Sequence, residues 1–175
     1  MTGTGSALTD SLAAERADLL ESLTTHRTIL RFTVRGLTDE QATSRPTASE
    51  LTLAGLIKHV AATEAAWVRF IEGGPEAMSS DWSPEAWARQ WRLEPGQTLA
   101  GVLDEYADVA AHTDGLVATL PDLDVSHPLP SAPWFPAGAR RSARRVLLHL
   151  IAETAQHAGH ADILRETIDG QKTMG

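Results

Sequence analysis

The segment HLIAETAQHAGH, residues 149–160, places three histidines and one glutamate inside an otherwise apolar pattern. At about 100° per residue of helix, Glu153 and His157 lie one turn apart on the core-facing side, His160 flanks them, and His149 falls at the edge. Burying such groups without partners costs free energy, whereas a divalent metal pairs with carboxylate and imidazole together. The spacing therefore predicts two metal ligands, Glu153 and His157, on the inner face of a helix.

A third ligand is expected from a facing helix, and His59 in LIKHVAATEAAW is the candidate. Leu56 and Phe70 share its face, while the small Thr63 and Ala66 leave space beside it. Three protein ligands with open positions are typical of a catalytic rather than a structural metal site. The ordinary alternative stays open, because a single histidine on an apolar face is usually a hydrogen-bonded core residue and Glu-x-x-x-His is common by chance.

These residues require long helices to position them. Four long helical patterns are predicted at about residues 8–35, 52–72, 98–120 and 142–169, with glycines and prolines between them. A short extra helix starts at Ser83-Pro84-Glu85, with Trp87 and Trp91 on one face. No strand pattern is evident. We therefore predict an all-α four-helix bundle in a single domain, residues 1–175, whose two long connections make a simple up-down-up-down order uncertain.

Composition excludes several kinds of chemistry. The 175 residues contain no cysteine, so a disulfide, a zinc–thiolate site and a cysteine nucleophile are all excluded. The net charge of −8 argues against a nucleic-acid-binding surface. No apolar stretch is long enough to span a membrane and the N-terminus lacks the pattern of a signal peptide, which predicts a cytoplasmic protein.

Two segments resemble the DinB-like superfamily of small, mostly metal-binding four-helix bundles. LTLAGLIKHVAATEAAW matches the family segment that carries one histidine ligand, here His59. ETAQHAGH resembles the family's His-x-x-x-His-Arg-Gly-Gln, with Glu153 and His157 in the ligand places, Gly159 in the glycine place and His160 in the glutamine place. The glutamate and the missing Arg and Gln depart from that pattern. A Glu-x-x-x-His pair is instead similar to the mycothiol-dependent maleylpyruvate isomerases, a branch of the superfamily.

The resemblance implies a metal-dependent thiol enzyme. His59, Glu153 and His157 would hold a divalent ion, most often Zn²⁺, although Ni²⁺ and Fe²⁺ suit the same ligands. The ion would activate a low-molecular-weight thiol, mycothiol in an actinobacterial context that the arginine-rich, lysine-poor composition fits, for S-transfer to or isomerisation of a small electrophile. A homodimer is also implied. Two alternatives remain: a metal-binding protein without catalysis, and a metal-dependent hydrolase using activated water.

Four further residues are candidates near such a site. His160 could orient a ligand, occupy a fourth metal position or shuttle a proton. The proline-rich segment 121–140 is a long loop, and its Trp134 and Phe135 are expected to close over the substrate. Trp67 is expected to line the substrate pocket.

Other charged residues have more ordinary interpretations. Arg144 and Arg145 could bind anionic groups, although a solvated start of the last helix is the simpler interpretation. His26 and His112 are expected on the surface, and His127 lies in a proline-flanked loop.

Overall fold

Four long helices dominate the computed structural model, which describes residues 3–78 and 83–173. The helices are α1 (Gly3–Phe32), α2 (Asp39–Thr43), α3 (Leu53–Gly73), α4 (Pro84–Gln90), α5 (Leu99–Thr119) and α6 (Ala143–Asp169). Two short strands, β1 (Ser126–Pro128) and β2 (Arg140–Ser142), precede α6. The predicted all-α bundle with a short extra helix between its second and third long helices is therefore confirmed.

Hydroxyl side chains set the starts of the helices. Thr52, Thr98 and Ser142 each accept a hydrogen bond from the backbone amide three residues onward, which satisfies an amide that the first helical turn leaves free. Gly170 ends α6 in the left-handed conformation with φ 77°, which glycine adopts without the penalty of a side chain. The helix bounds therefore follow local sequence.

The long helices run up, down, down and up. Arg144 pairs with Glu15 and Arg165 donates to the Thr33 carbonyl, so α1 and α6 are parallel. Lys58 donates to Gln97 just before α5, and Glu72 near the end of α3 pairs with a histidine well along α5, so α3 and α5 are also parallel. The parallel pair α3 and α5 needs a long crossover, which contains α4.

The loop before α6 contains a two-stranded antiparallel ribbon that hydrophobic periodicity does not indicate. Ser126 pairs with Ser142, His127 with Arg141 and Pro128 with Arg140. Each strand has three residues, too few for an alternating pattern to be visible in the sequence. The ribbon fixes the loop to the start of α6.

The buried apolar residues fill the bundle along its length. One cluster, around Leu30, Leu56 and Leu164, lies at the end where α3 begins. A second, around Phe70, Val146 and the nearly buried Trp67, lies at the end where α6 begins. Within the described residues, no helix combines the length and the apolarity needed to cross a bilayer.

Candidate metal centre

His59, Glu153 and His157 meet between α3 and α6. Glu153 Oε1 lies 3.2 Å from His59 Nε2 and 3.2 Å from His157 Nε2. The side chain of His59 is 5% exposed and that of His157 10%, whereas that of Glu153 is 23% exposed. The two antiparallel helices therefore bury the imidazoles and leave the carboxylate at the accessible side.

The separations of these donor atoms suit a small divalent ion. One ligand atom from each of the three residues lies within 4.8 Å of the others. Ligands at about 2.1 Å from a tetrahedral zinc ion lie about 3.4 Å apart, close to the two separations of 3.2 Å around Oε1. Two imidazoles and one carboxylate are also a donor set that Zn²⁺, Ni²⁺ and Fe²⁺ accept.

The charge of Glu153 is stabilised before any ion binds. Hydrogen bonds from His157 and His59 hold the pKa of the Glu153 carboxyl well below its usual range, against an opposing effect of burial. The carboxyl is thus ionised at neutral pH, which is the form that binds a metal. His59 Nδ1 is buried and has no hydrogen-bond partner within the described residues.

Aromatic side chains from the α3–α5 crossover cover His59. The Trp91 ring stacks on the His59 ring, with centroids 3.7 Å apart and an interplanar angle of 15°. Trp87 meets the same imidazole edge-on at 6.0 Å. A Cβ atom on Gly55 would lie 2.0 Å from the Trp91 carbonyl oxygen, so glycine is required for the crossover to approach α3 this closely.

His160 lies beside the site and not in it. Its Nδ1 is 3.3 Å from Nδ1 of His157, the ring nitrogen that faces away from Glu153. Of the three roles considered for His160, this contact supports orientation of His157. The group of residues that could together hold a metal ion comprises His59, Glu153 and His157 among the described residues.

The structure places Trp67 and Phe135 together, two helical turns from His59. Their rings are 6.2 Å apart, and Trp67 also meets His149 at 5.3 Å. Trp134 is 58% exposed and contacts Phe135 at 6.1 Å. The aromatic loop therefore contacts Trp67 near the start of α6, toward the other end of the α3–α6 interface from the three candidate ligands.

The remaining candidate residues differ in the partners that their side chains bind. Arg144 is bound by Glu15 and Asp124, which leaves Arg145 as the exposed member of that pair. His112 is exposed and pairs with Glu72. His127 is hydrogen-bonded through Nε2 to the Ile71 carbonyl, which makes it a residue that anchors the loop.

Sequence reasoning missed three contributors to this region. The sequence places Trp91 on one face of a short helix but does not indicate its contact with His59. Nothing local shows that the crossover returns to α3. Arg141 was not considered, although its guanidinium lies over Trp67 at 4.6 Å. The buried pair Arg27 and Glu64 was also missed, since its partners are distant in sequence.

The fold and the three candidate ligands together define a DinB-like helical bundle. The family model for mycothiol-S-transferase matches residues 18–170, so the chain belongs to the mycothiol-S-transferase family. Among solved structures, a conserved protein from Enterococcus faecalis is 17% identical, and the match covers 87% of this chain and 96% of that chain with a TM-score of 0.59. That likeness shows the fold alone. No curated protein matches the chain.

Proposed function

We propose that the protein is a divalent-metal-dependent mycothiol S-transferase, which joins the thiol of mycothiol to a small electrophile. The observation that carries the proposal is the convergence of His59, Glu153 and His157 within 4.8 Å, in a chain that belongs to this family. A divalent ion held there would lower the pKa of a coordinated thiol and so supply a nucleophile at neutral pH. The chain has no cysteine of its own to fill that role.

The protein's own residues would hold and shape the site. His59 and His157 offer Nε2 atoms, and Glu153 offers a carboxylate that its two neighbours keep ionised. Trp91 stacks on the His59 ring and so fixes its plane. His160 contacts Nδ1 of His157, the ring nitrogen that faces away from Glu153. Such outer contacts orient metal ligands and keep the open side of the site accessible.

The reaction balances without a further reagent. The thiol sulfur forms a bond to the electrophilic carbon, the bond from that carbon to its leaving group breaks, and the thiol proton is released to solvent. With a chloroarene, the products are a thioether, chloride and a proton. A thiolate needs no protein base during the attack, which accords with Glu153 being committed to His59 and His157.

Metal content gives the first test. Protein produced without a histidine tag is expected to bind zinc or nickel near-stoichiometrically, as measured by mass spectrometry of the metal. His59→Ala, His157→Ala and Glu153→Gln should each weaken binding by about 100-fold or more, beyond the usual effect of changing an outer contact. His112→Ala, an exposed histidine bound to Glu72, is the matched control and should keep its metal.

Turnover gives the second test. Metal-loaded protein with mycothiol and chlorodinitrobenzene should release chloride, and the metal-free protein should not. Metal binding without thiol consumption would instead favour a metal-binding protein that is not an enzyme. Hydrolysis of an ester that continues without thiol would favour the hydrolase alternative. A homodimeric state and a cytoplasmic location remain predictions from the sequence and the resemblance.

A further inference from the structure

The outer side of the contact between α3 and α6, which we call the groove, runs from the candidate metal ligands past Thr63 and Trp67 to the start of α6. The His59 and His157 rings meet edge to face with centroids 5.0 Å apart, and the Trp67 and His149 rings meet in the same way at 5.3 Å. Each helix advances eight residues between these pairs, which is about 12 Å. The half-buried Thr63 lies between them on α3.

Arg141 lies at the far end of the groove, and its guanidinium has a hydrogen-bond donor that is not used. Its guanidinium lies over the Trp67 ring at 4.6 Å and the Phe135 ring at 5.4 Å. Its Nη1 atom is buried, and no hydrogen-bond acceptor reaches it from any residue that the structure describes. A buried guanidinium donor without a partner costs free energy that an anionic ligand would recover.

Two more groups extend the positive character of this end. Arg145 and His149 lie on successive turns of α6, in line with Glu153, and Arg145 is exposed. Across residues 3–78 and 83–173, no ion pair joins a carboxylate to Arg141 or Arg145. Burial and the charge of Arg145 lower the pKa of Arg141, as expected for a cation without a counter-charge.

The neighbouring arginines show that this lack of partners is specific. Arg144 is bound by Glu15 and Asp124, and Arg140 donates to the Ser126 carbonyl at 2.6 Å. Four arginines lie within six residues, yet in the described part of the chain Arg141 Nη1 has no acceptor and Arg145, exposed on the next helical turn, has no carboxylate partner. The nearest carboxylate along α6, Glu153, is occupied by His59 and His157.

We propose that Arg141 and Arg145 bind a carboxylate on the electrophilic substrate, with Trp67 and Phe135 packing against the body of that substrate. The inference rests on the proposed S-transfer, because it assigns this anion to the electrophile rather than to the thiol. A fork of guanidinium donors suits the planar carboxylate group. The reacting carbon would then face the thiol at the other end of the groove, beside Glu153.

Binding of a substrate analogue tests the anion site without any turnover. Dinitrobenzoate and dinitrobenzamide share one ring and lack a leaving group, and a nitroaromatic ring near Trp67 quenches tryptophan fluorescence. The acid is expected to bind at least about tenfold more tightly than the amide. Equal Kd values for the two compounds would overturn the inference.

Substitutions locate the effect. Arg145→Gln, at an exposed position that should fold normally, and Arg141→Gln are each expected to raise the Kd of dinitrobenzoate about tenfold and to leave that of the amide unchanged. Arg140→Gln removes the same charge outside the groove and should bind like the wild type. An equal loss in Arg140→Gln would mean that net charge alone governs binding, and the site would be rejected.

Kinetics with mycothiol then assign the anion to its source. In Arg145→Gln, the KM for chlorodinitrobenzoate should rise about tenfold, while the KM for mycothiol and for chlorodinitrobenzamide stays constant. A rise in the KM for mycothiol instead would mean that Arg145 acts on the thiol substrate and would contradict the inference. If no electrophile turns over, the S-transferase proposal fails, and the analogue binding still decides whether the anion site exists.

Discussion

Two clusters of buried polar side chains lie about 8 Å apart along α3, and their hydrogen-bonding groups are satisfied to different degrees. Glu64, 1% exposed, receives hydrogen bonds from Arg27 and from Thr113. The remaining guanidinium nitrogen of Arg27 donates to Asp114 at 2.8 Å. We call these four residues, Arg27, Glu64, Thr113 and Asp114, the closed cluster, because every guanidinium nitrogen of Arg27 has an acceptor and the Glu64 carboxylate accepts from two helices.

The hydrogen-bonding groups of the candidate metal ligands His59, Glu153 and His157 are less completely satisfied. Both imidazoles approach one oxygen of one carboxylate, and His59 Nδ1 is buried without a partner in the described part of the chain. The contrast teaches that burial alone does not mark a functional site. The closed cluster ties α1, α3 and α5 together, whereas in the other group two imidazoles share one carboxylate oxygen.

The largest effect on stability should come from breaking the closed cluster. Arg27→Met leaves the Glu64 carboxylate buried without a cation, and we expect the free energy of unfolding to fall by about 3–5 kcal/mol. Urea denaturation at neutral pH measures this free energy of unfolding. Arg31→Met on the exposed side of α1 should change stability by less than about 0.5 kcal/mol. If Arg27→Met behaved like Arg31→Met, the pair would contribute nothing to the fold.

Adding metal should stabilise the group of candidate metal ligands. At a zinc concentration about 100-fold above its Kd, the free energy of unfolding of the wild type should rise by about 2.7 kcal/mol. His157→Gln should unfold within about 1 kcal/mol of wild type without metal, and should lose the zinc effect. Thermal unfolding of the wild type and of His157→Gln, each with zinc and with a chelator, measures the zinc effect in both proteins. An undiminished zinc shift in His157→Gln would exclude this histidine as a ligand.

Crowding the aromatic cover should have an intermediate effect. Gly55→Ala puts a methyl group against the Trp91 backbone, and relief of that overlap should cost about 1–3 kcal/mol and move Trp91 away from His59. Stability and the wavelength of tryptophan emission report the change. Gly115→Ala on α5 meets no atom within 4 Å and should instead stabilise by about 0.5–1 kcal/mol. Equal behaviour of the two variants would argue against the close approach.

The smallest effect at neutral pH is expected at Tyr106, whose buried hydroxyl lies near the closed cluster. Burial, and then the Glu64 carboxylate, raise the pKa of Tyr106. Because the folded state keeps the phenol protonated, the wild type should lose stability as the pH rises above about 10, the ordinary tyrosine value. Tyr106→Phe should lack that additional loss and differ by less than about 1 kcal/mol at neutral pH.

Alkaline titration checks this directly, because Tyr106 is the only tyrosine in the sequence. The ultraviolet absorbance of tyrosinate should appear together with unfolding. Tyrosinate formation at the ordinary pKa in a folded protein would contradict the effect of burial.

Local sequence predicted three of the four long helices closely, whereas the predicted range 8–35 starts five residues after and ends three residues after α1 (Gly3–Phe32). The predicted ranges 52–72, 98–120 and 142–169 differ from α3, α5 and α6 by at most one residue at each end. Each of these helices begins after a hydroxyl cap and contains a regular apolar face, and both signals are local. The ribbon between β1 and β2 was missed because strands of three residues carry no measurable period.

The candidate site was only partly predictable, for a geometric reason. Glu153 and His157 are four residues apart on one helix, so periodicity alone puts them together. Orientation on α3 singled out His59, but the distance between His59 and Glu153 depends on how α3 and α6 pack. The position of Trp91 against His59 depends on the path of a long crossover, which no periodic pattern specifies.

The sequence by itself determined where α3, α5 and α6 begin and end, which faces they bury, and which residue types were available as candidate metal ligands. Tertiary structure decided which polar residues found partners. Glu64 and Glu153 are both glutamates on inner faces of helices, and nothing local distinguishes them. Of these two glutamates, Arg27 pairs with Glu64, because α1 packs beside that part of α3 and α5. Charge pairing between helices depends on their packing in three dimensions, and it therefore selects which carboxylate remains available as a candidate metal ligand.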